Sequence, residues 1–318
     1  MLGAGCNGQR FAGRPDRGAR SLVAGLRRRW TSRIIFPCTG HGRFLGRLTP
    51  PMGKNSLVRL EQHRAHNDPS RSFSLARRFV QAKLANMRTM LLRANRKRKD
   101  AAIAEAAEEI GDLLQRLEAL GPDEAVPDPS RPQAGTAYGS LLGIEGAGTA
   151  AYFRVFGRLL RDDWGFPGRQ RRPPPDPVNA LLSFGYVVLM SYAASAVHIV
   201  GLDPDVGFLH SSQYGKPALA LDVMEPFRPL VVDSTVLTVL NNQMLKREDF
   251  TNELGAWWLR DEARRIFLTQ LEERLDAEVE HPVLKYRTTY RRALELEVRL
   301  LAKWLMGEIP DFQAFTTR

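Results

Sequence analysis

The sequence predicts an α+β protein, with a small N-terminal β domain followed by a large all-α helical domain. Three observations support this class. Strand-like runs are confined to the stretch before residue 60. From Ser72 onward, apolar residues recur at helical spacing between Pro- and Gly-rich breaks. The hydrophobic fraction, 43 % of 318 residues, is that of a folded globular chain with room for one large or two modest domains.

Residues 1–30 are Arg- and Gly-rich with no sustained period, and are expected to form an atypical extension. RIIF (33–36) and RFLGRL (43–48) read as short strands around a glycine-containing turn. Pro50, Pro51, Gly53 and Asn55 then break the chain as a linker would. Residues 31–68 are therefore assigned to the β piece and its linker, and residues 69–318 to the helical domain. Ser74 is a candidate cap for a helix carrying Phe79, Val80, Leu84, Met87 and Leu91 on one face. Arg93, Arg96, Lys97, Arg98 and Lys99 follow, and basic groups suit a helix C-terminus.

Residues 101–120 form a second amphipathic helix, stopped by Gly121 and Pro122, and a Pro-rich loop follows to residue 134. Further helices are predicted at 137–161, 177–200, 217–227, 230–246, 259–278 and 282–306, with an irregular loop at 165–177. The longest apolar region, Val178 to Leu202, is interrupted by Asn179, Ser183, Ser191, Ser195 and His198. It reads as a buried helix, and no membrane association is expected. Cys6 and Cys38 offer neither a disulfide framework nor a zinc spacing, which points to a reducing, cytoplasmic compartment.

The net charge of +11 is unevenly placed. Residues 1–99 hold 23 Lys/Arg against 3 Asp/Glu, whereas residues 100–318 carry a net of −9. A basic segment on an acidic body is the footprint of a phosphate-binding surface, and nucleic acid is the expected partner. Arg169, Arg171 and Arg172 in the Pro-rich loop, Lys97 and Arg98 on the basic helix end, and Arg228 are the candidate phosphate contacts.

Three stretches carry candidate chemistry. Glu145 lies in GIEGAGTAAYF, at the expected start of a helix and between Gly143 and Gly146, which would let a backbone or ligand approach. Its alternative role is stabilisation of a helix N-terminus. His210 ends GFLH after the turn-rich GLDPDVG; a lone histidine is more often a hydrogen-bonded core residue. Asp222 and Glu225 in LALDVMEPFRP are spaced to share a helix face among apolar neighbours. Two such carboxylates repel and would have raised pKa values, which a bound cation would relieve. Their alternative role is an acidic first turn after Pro217. Two carboxylates and an imidazole suit Mg²⁺ or Mn²⁺, ions able to polarise a phosphoryl oxygen and activate a hydroxyl. No P-loop, dinucleotide fingerprint or G-x-S-x-G turn is present.

At these residues the chain resembles the CRISPR-associated Cas one family, the integrase and endonuclease of spacer acquisition. GIEGAGTAAYF, GRQRRPPPDPVNALLSFGY, GLDPDVGFLHSS and LALDVMEPFRPLVVD resemble that family's motifs in the family's order. RFLGRLTPPMGKNSLVRLEQ, SLARRFVQAKLANMRTMLLR and the C-terminal GEIPDFQAF extend the resemblance over residues 33–318. It implies a metal site of Glu145, His210 and Glu225, with Asp222 beside it, binding Mg²⁺ or Mn²⁺. It also implies an N-terminal β-sandwich, a helical catalytic domain and a homodimer. Two dimers would join the small Cas two partner protein in a heterohexamer. The implied reaction joins the 3′-hydroxyl of a captured double-stranded DNA fragment to the CRISPR repeat by transesterification. The family's β domain begins with several strands before the position of Arg33, whereas residues 1–30 here lack alternating core residues, so a truncated β domain is expected. The alternative reading is a catalytically impaired, truncated, DNA-binding remnant of the same family.

Overall fold

In the computed structural model, residues 56–121, 136–170 and 173–317 are described, all within one unit spanning Thr49–Arg318. The expected strands at 33–36 and 43–48, the Pro/Gly break, the extension at 1–30, most of the Pro-rich loop, and Arg171 and Arg172 lie outside the described residues.

Helix α1 (Ser56–Asn67) comes first. The sequence assigned this stretch to the β piece and linker, but Val58, Gln62 and Ala65 fall on one buried helical face. Helix α2 (Pro69–Arg98) follows after Asp68, whose carboxylate accepts from the Arg71 amide at 3.0 Å. An aspartate cap with proline at the first helical position is a strong start, so α2 begins before Ser74, which is interior to it. Lys99 ends the helix at φ 53°. Asp100 then caps α3 (Ala101–Ala119) through the Ala102 and Ile103 amides.

Helix α4 (Thr136–Phe156) runs into a 3-10 turn at Gly157–Leu159. Helix α5 (Pro177–Val200) has the same Asp-Pro start, with Asp176 accepting from the Asn179 amide at 2.8 Å, and ends at Gly201 with φ 93°. Among the described residues it is the one helix long and apolar enough to cross a membrane; most of it is buried within the protein instead. It packs against α6 (Ala218–Met224) and against a π-helical segment, Arg228–Asp233, that leads into α7 (Ser234–Asn241).

Two short antiparallel hairpins interrupt the remaining helices. Strands β1 (Phe250–Glu253) and β2 (Ala256–Leu259) pair with Phe250 opposite Leu259. Their turn uses Leu254 and Gly255, both at positive φ, as a two-residue hairpin turn of matching twist requires. After α8 (Asp261–Asp276), β3 (Glu278–Glu280) pairs with β4 (Arg287–Thr289), and α9 (Tyr290–Leu305) closes the domain. The helix expected from residue 282 starts later because His281 Nδ1 accepts from the Val283 and Leu284 amides, which turns the chain into the hairpin. Thr289 then caps α9 on Arg292. The body is helical as expected, with the two hairpins added. Its core is built on α2 and α5, with Phe79, Leu84, Leu181, Leu189 and Val231 all fully buried.

Candidate active site

The site starts where α4 meets α2. A Cβ on Gly148 would lie 2.5 Å from Leu84 Cδ2, so any larger residue would force the buried Leu84 side chain to shift. One turn before Gly148, Glu145 is thereby set against Lys83, the residue preceding Leu84. Gly143 and Gly146 face open space, so the close approach belongs to a different glycine of the motif from the two the sequence suggested. Glu145 sits in the middle of α4, so a helix-dipole role does not apply to it. Its Oε1 accepts from Lys83 Nζ and from Thr149 Oγ1 at 3.1 Å.

Glu225 follows the last turn of α6 and is buried. Lys83 Nζ stands 2.8 Å from its Oε2, Arg228 Nη1 donates to Oε1 at 2.5 Å, and His210 Nε2 is 3.9 Å from Oε1. Burial would push this carboxyl up. Arg228 and Lys83 outweigh that and hold it well below the usual carboxylate range. The sequence expectation of a raised value is corrected for Glu225, because Arg228, three residues on, and Lys83, from α2, outweigh the loss of water.

Asp222 points elsewhere. Its Oδ2 accepts from the amides of Phe208 (2.5 Å) and Leu209 (3.0 Å), and its Oδ1 from the His210 amide (2.9 Å) and Nδ1 (2.8 Å). Four donors occupy the lone pairs of one buried carboxylate, so it positions the loop bearing His210. Gly207 makes this possible, since a Cβ there would lie 2.9 Å from Asp222 Oδ2. With Nδ1–H committed to the carboxylate, the imidazole keeps a lone pair on Nε2, facing Glu225.

The sequence missed the other braces of this loop. Gln62 on α1 donates to the carbonyls of Asp203 and Val206, both at 2.8 Å, and accepts from the Asp203 amide at 2.8 Å. His66 Nδ1 lies 2.7 Å from the Gly207 carbonyl, and Tyr138 on α4 donates to the Phe208 carbonyl. Lys83 was also missed. Its signal was a lysine one turn after Phe79 and one turn before Met87 on an apolar face, a place where a cation needs a partner.

Arg228 lies 4.0 Å above the ring of Tyr186 on α5, and the Tyr186 hydroxyl donates to buried Asp233 at 2.5 Å. Tyr152 donates to the other Asp233 oxygen at 3.0 Å. Arg169 is near the same ring, 5.4 Å away, and its guanidinium donates to Asn179 (2.8 Å) and Ser183 (3.1 Å). Of the two candidates on α2, Lys97 is exposed, while Arg98 donates to the Arg158 and Leu159 carbonyls, closing the end of α4. His198 is a buried residue of α5, as expected.

Among the described residues, no His, Cys, Asp and Glu group is already arranged as a metal cage. An ammonium, Lys83 Nζ, instead pairs with both Glu145 and Glu225. Glu225 Oε2 is buried beside that ammonium, and His210 Nε2 lies 3.9 Å from the other Glu225 oxygen, Oε1. Two carboxylates and an imidazole nitrogen are a donor set that fits Mg²⁺ or Mn²⁺ once the ammonium gives way.

The family model described as "CRISPR associated protein Cas1" matches residues 30–273. A Cas4/Cas1 exonuclease–endonuclease fusion from Geobacter sulfurreducens is 43 % identical over 283 residues, covering 87 % of this chain and 48 % of the relative. The chain thus spans about half of that fusion. A CRISPR-associated endonuclease Cas1 from Thermus thermophilus is 38 % identical, covering 87 % of this chain and 76 % of the relative. Among solved structures, a partial Cas6-RT-Cas1–Cas2 complex matches at a TM-score of 0.65 with 26 % identity, over 90 % of this chain and 82 % of that chain. The chain belongs to the family of CRISPR-associated Cas1 proteins.

Proposed function

We propose that this chain is a metal-dependent DNA endonuclease and integrase that inserts captured DNA fragments as spacers into a CRISPR array. One observation carries the reading. Glu145 and Glu225, from two separate motifs, both contact the Lys83 ammonium, and His210 Nε2, from a third, lies 3.9 Å from Glu225 Oε1. The similarity to proteins named Cas1 endonucleases supports the reaction class.

Glu145, His210 and Glu225 would hold Mg²⁺ or Mn²⁺. When bound, such an ion supplies charge stabilisation at a phosphoryl oxygen and activation of a hydroxyl. The protein's own residues do the rest. Asp222 fixes the imidazole tautomer and ring plane, while Gln62 and Tyr138 hold the loop that carries it. Arg228, stacked on Tyr186, adds positive charge beside Glu225, where a scissile phosphate would sit. In the joining reaction, the 3′-hydroxyl oxygen of the fragment bonds to a phosphorus of the repeat. The bond from that phosphorus to the neighbouring 3′-oxygen breaks, and that oxygen takes up a proton.

The proposed substrates are double-stranded fragment and repeat DNA, met in the cytoplasm. Arg169, Arg171, Arg172, Lys97 and Arg98 are proposed to contact phosphates. The likeness to a complex containing Cas2 supports a Cas2 partner, and a Cas1 homodimer within a heterohexamer is the proposed assembly. That all three residues are present, with Glu145 and Glu225 paired to one ammonium and His210 beside Glu225, favours an enzyme over an impaired DNA-binding remnant.

The test is strand transfer and nicking of branched DNA in Mn²⁺ or Mg²⁺. Glu145→Ala and His210→Ala should each lower the rate by more than about a hundredfold, beyond the range seen for outer-shell partners. Retained activity in either variant would sink the assignment.

A further inference from the structure

We propose that Lys83 is a tethered counter-cation of the metal-free site, and that a divalent ion enters by exchanging with its ammonium. This inference rests on the reading of Glu145, His210 and Glu225 as metal ligands and concerns how that site is regulated.

The Lys83 side chain is 3 % exposed and ion-pairs with both Glu145 and Glu225. Without a cation between them, two carboxylates sharing a dry site repel each other strongly. Arg228 does not fill that need alone, because it is held against Glu225 Oε1 and the face of Tyr186 and makes no described ion pair with Glu145. Nothing else among the described ion pairs reaches both carboxylates. Nζ donates to Glu145 Oε1 and stands 2.8 Å from Glu225 Oε2. A lysine is suited to exchange because its ammonium is a point charge on a four-carbon stem with rotatable bonds, unlike a planar guanidinium fixed by stacking. The packing of Leu84 on Gly148 holds the backbone of this turn in place.

The consequence is that metal affinity is set by competition. The ammonium stabilises the empty site, and every bound ion must displace it. Removing the positive charge should therefore make the metal-free protein less stable and the metal-bound protein relatively more so.

The experiment is calorimetric titration of the full chain with MnCl₂, paired with thermal unfolding with and without Mn²⁺. The proteins are the wild type, Lys83→Met, Lys83→Gln and Glu145→Gln. The neutral Lys83 variants should bind Mn²⁺ about tenfold more tightly or better. They should also melt at a lower temperature without metal and gain more from Mn²⁺ than the wild type does. Unchanged or weaker Mn²⁺ affinity in both Lys83 variants overturns the exchange, as does a variant that Mn²⁺ cannot restore to a folded state. If the wild type binds Mn²⁺ and Glu145→Gln weakens it while the Lys83 variants match the wild type, only this inference fails. If the wild type takes up no Mn²⁺, the metal-site reading itself fails and carries the inference with it.

Discussion

Asp222 and Glu225 stand three residues apart, are both buried, and are held in opposite ways. Asp222 is surrounded by hydrogen-bond donors, three of them backbone amides of the 208–210 segment. Glu225 is surrounded by side-chain cations, two of them in contact and one of them on a flexible stem. Backbone donors cannot leave without unfolding the loop, so Asp222 is a fixed strut. Side-chain cations can be replaced, so Glu225 is able to exchange one for another. The same residue class therefore supplies rigidity on one face of the site and exchangeability on the other.

The largest effect should come from Asp222→Ala. It leaves buried amides without an acceptor and frees the imidazole, costing on the order of 4 kcal/mol in denaturant unfolding and abolishing DNA nicking. A loss below about 1 kcal/mol would break the contrast, because the loop would then be held by Gln62 and Tyr138 alone. Glu225→Gln should cost about 3 kcal/mol without metal, since Arg228 and Lys83 lose a buried counter-charge. Addition of Mn²⁺ should not recover that loss; recovery would show that Glu225 is not the residue that exchanges cations.

A third buried carboxylate sharpens the contrast through pH. Asp233 accepts from two phenols and touches no cation in a described ion pair. Burial pushes its carboxyl up to about 6 from 3.8, partly offset by the Tyr186 hydrogen bond and the nearby Arg228 charge. With the folded value raised, its stabilising contribution is complete below the unfolded value and is lost as pH rises through about 6. Asp233→Asn should therefore gain stability relative to wild type between about pH 4 and pH 7, on the order of 2 kcal/mol. Parallel stability–pH curves for the two proteins would show that Asp233 is stabilised by charge after all.

Much of the fold could be read locally. The span of α5 follows from Asp176-Pro177 at one end and Gly201 at the other, signals that act within a turn of the residues concerned. The start of α2 was legible too, but in Asp68-Pro69 and not in Ser74. The late start of α9 was not, because it depends on His281 folding its ring back on two amides and on a hairpin pairing across the turn.

The sequence by itself determined the helix caps, the apolar faces and the three motifs that hold Glu145, His210 and Glu225, because each rests on short-range spacing. Tertiary structure alone decided that Lys83 stands between two of those residues, that Gly148 brings α4 close enough for it, and that Gln62 anchors the histidine loop from 141 residues away. Lys83 from α2 also joins the neighbouring Arg228 in setting the charge state of Glu225, which the sequence reading had in the wrong direction. The physical reason is common to all four. Electrostatic and steric contacts depend on distance through space, and residues far apart in the chain supply the cation, the gap and the brace.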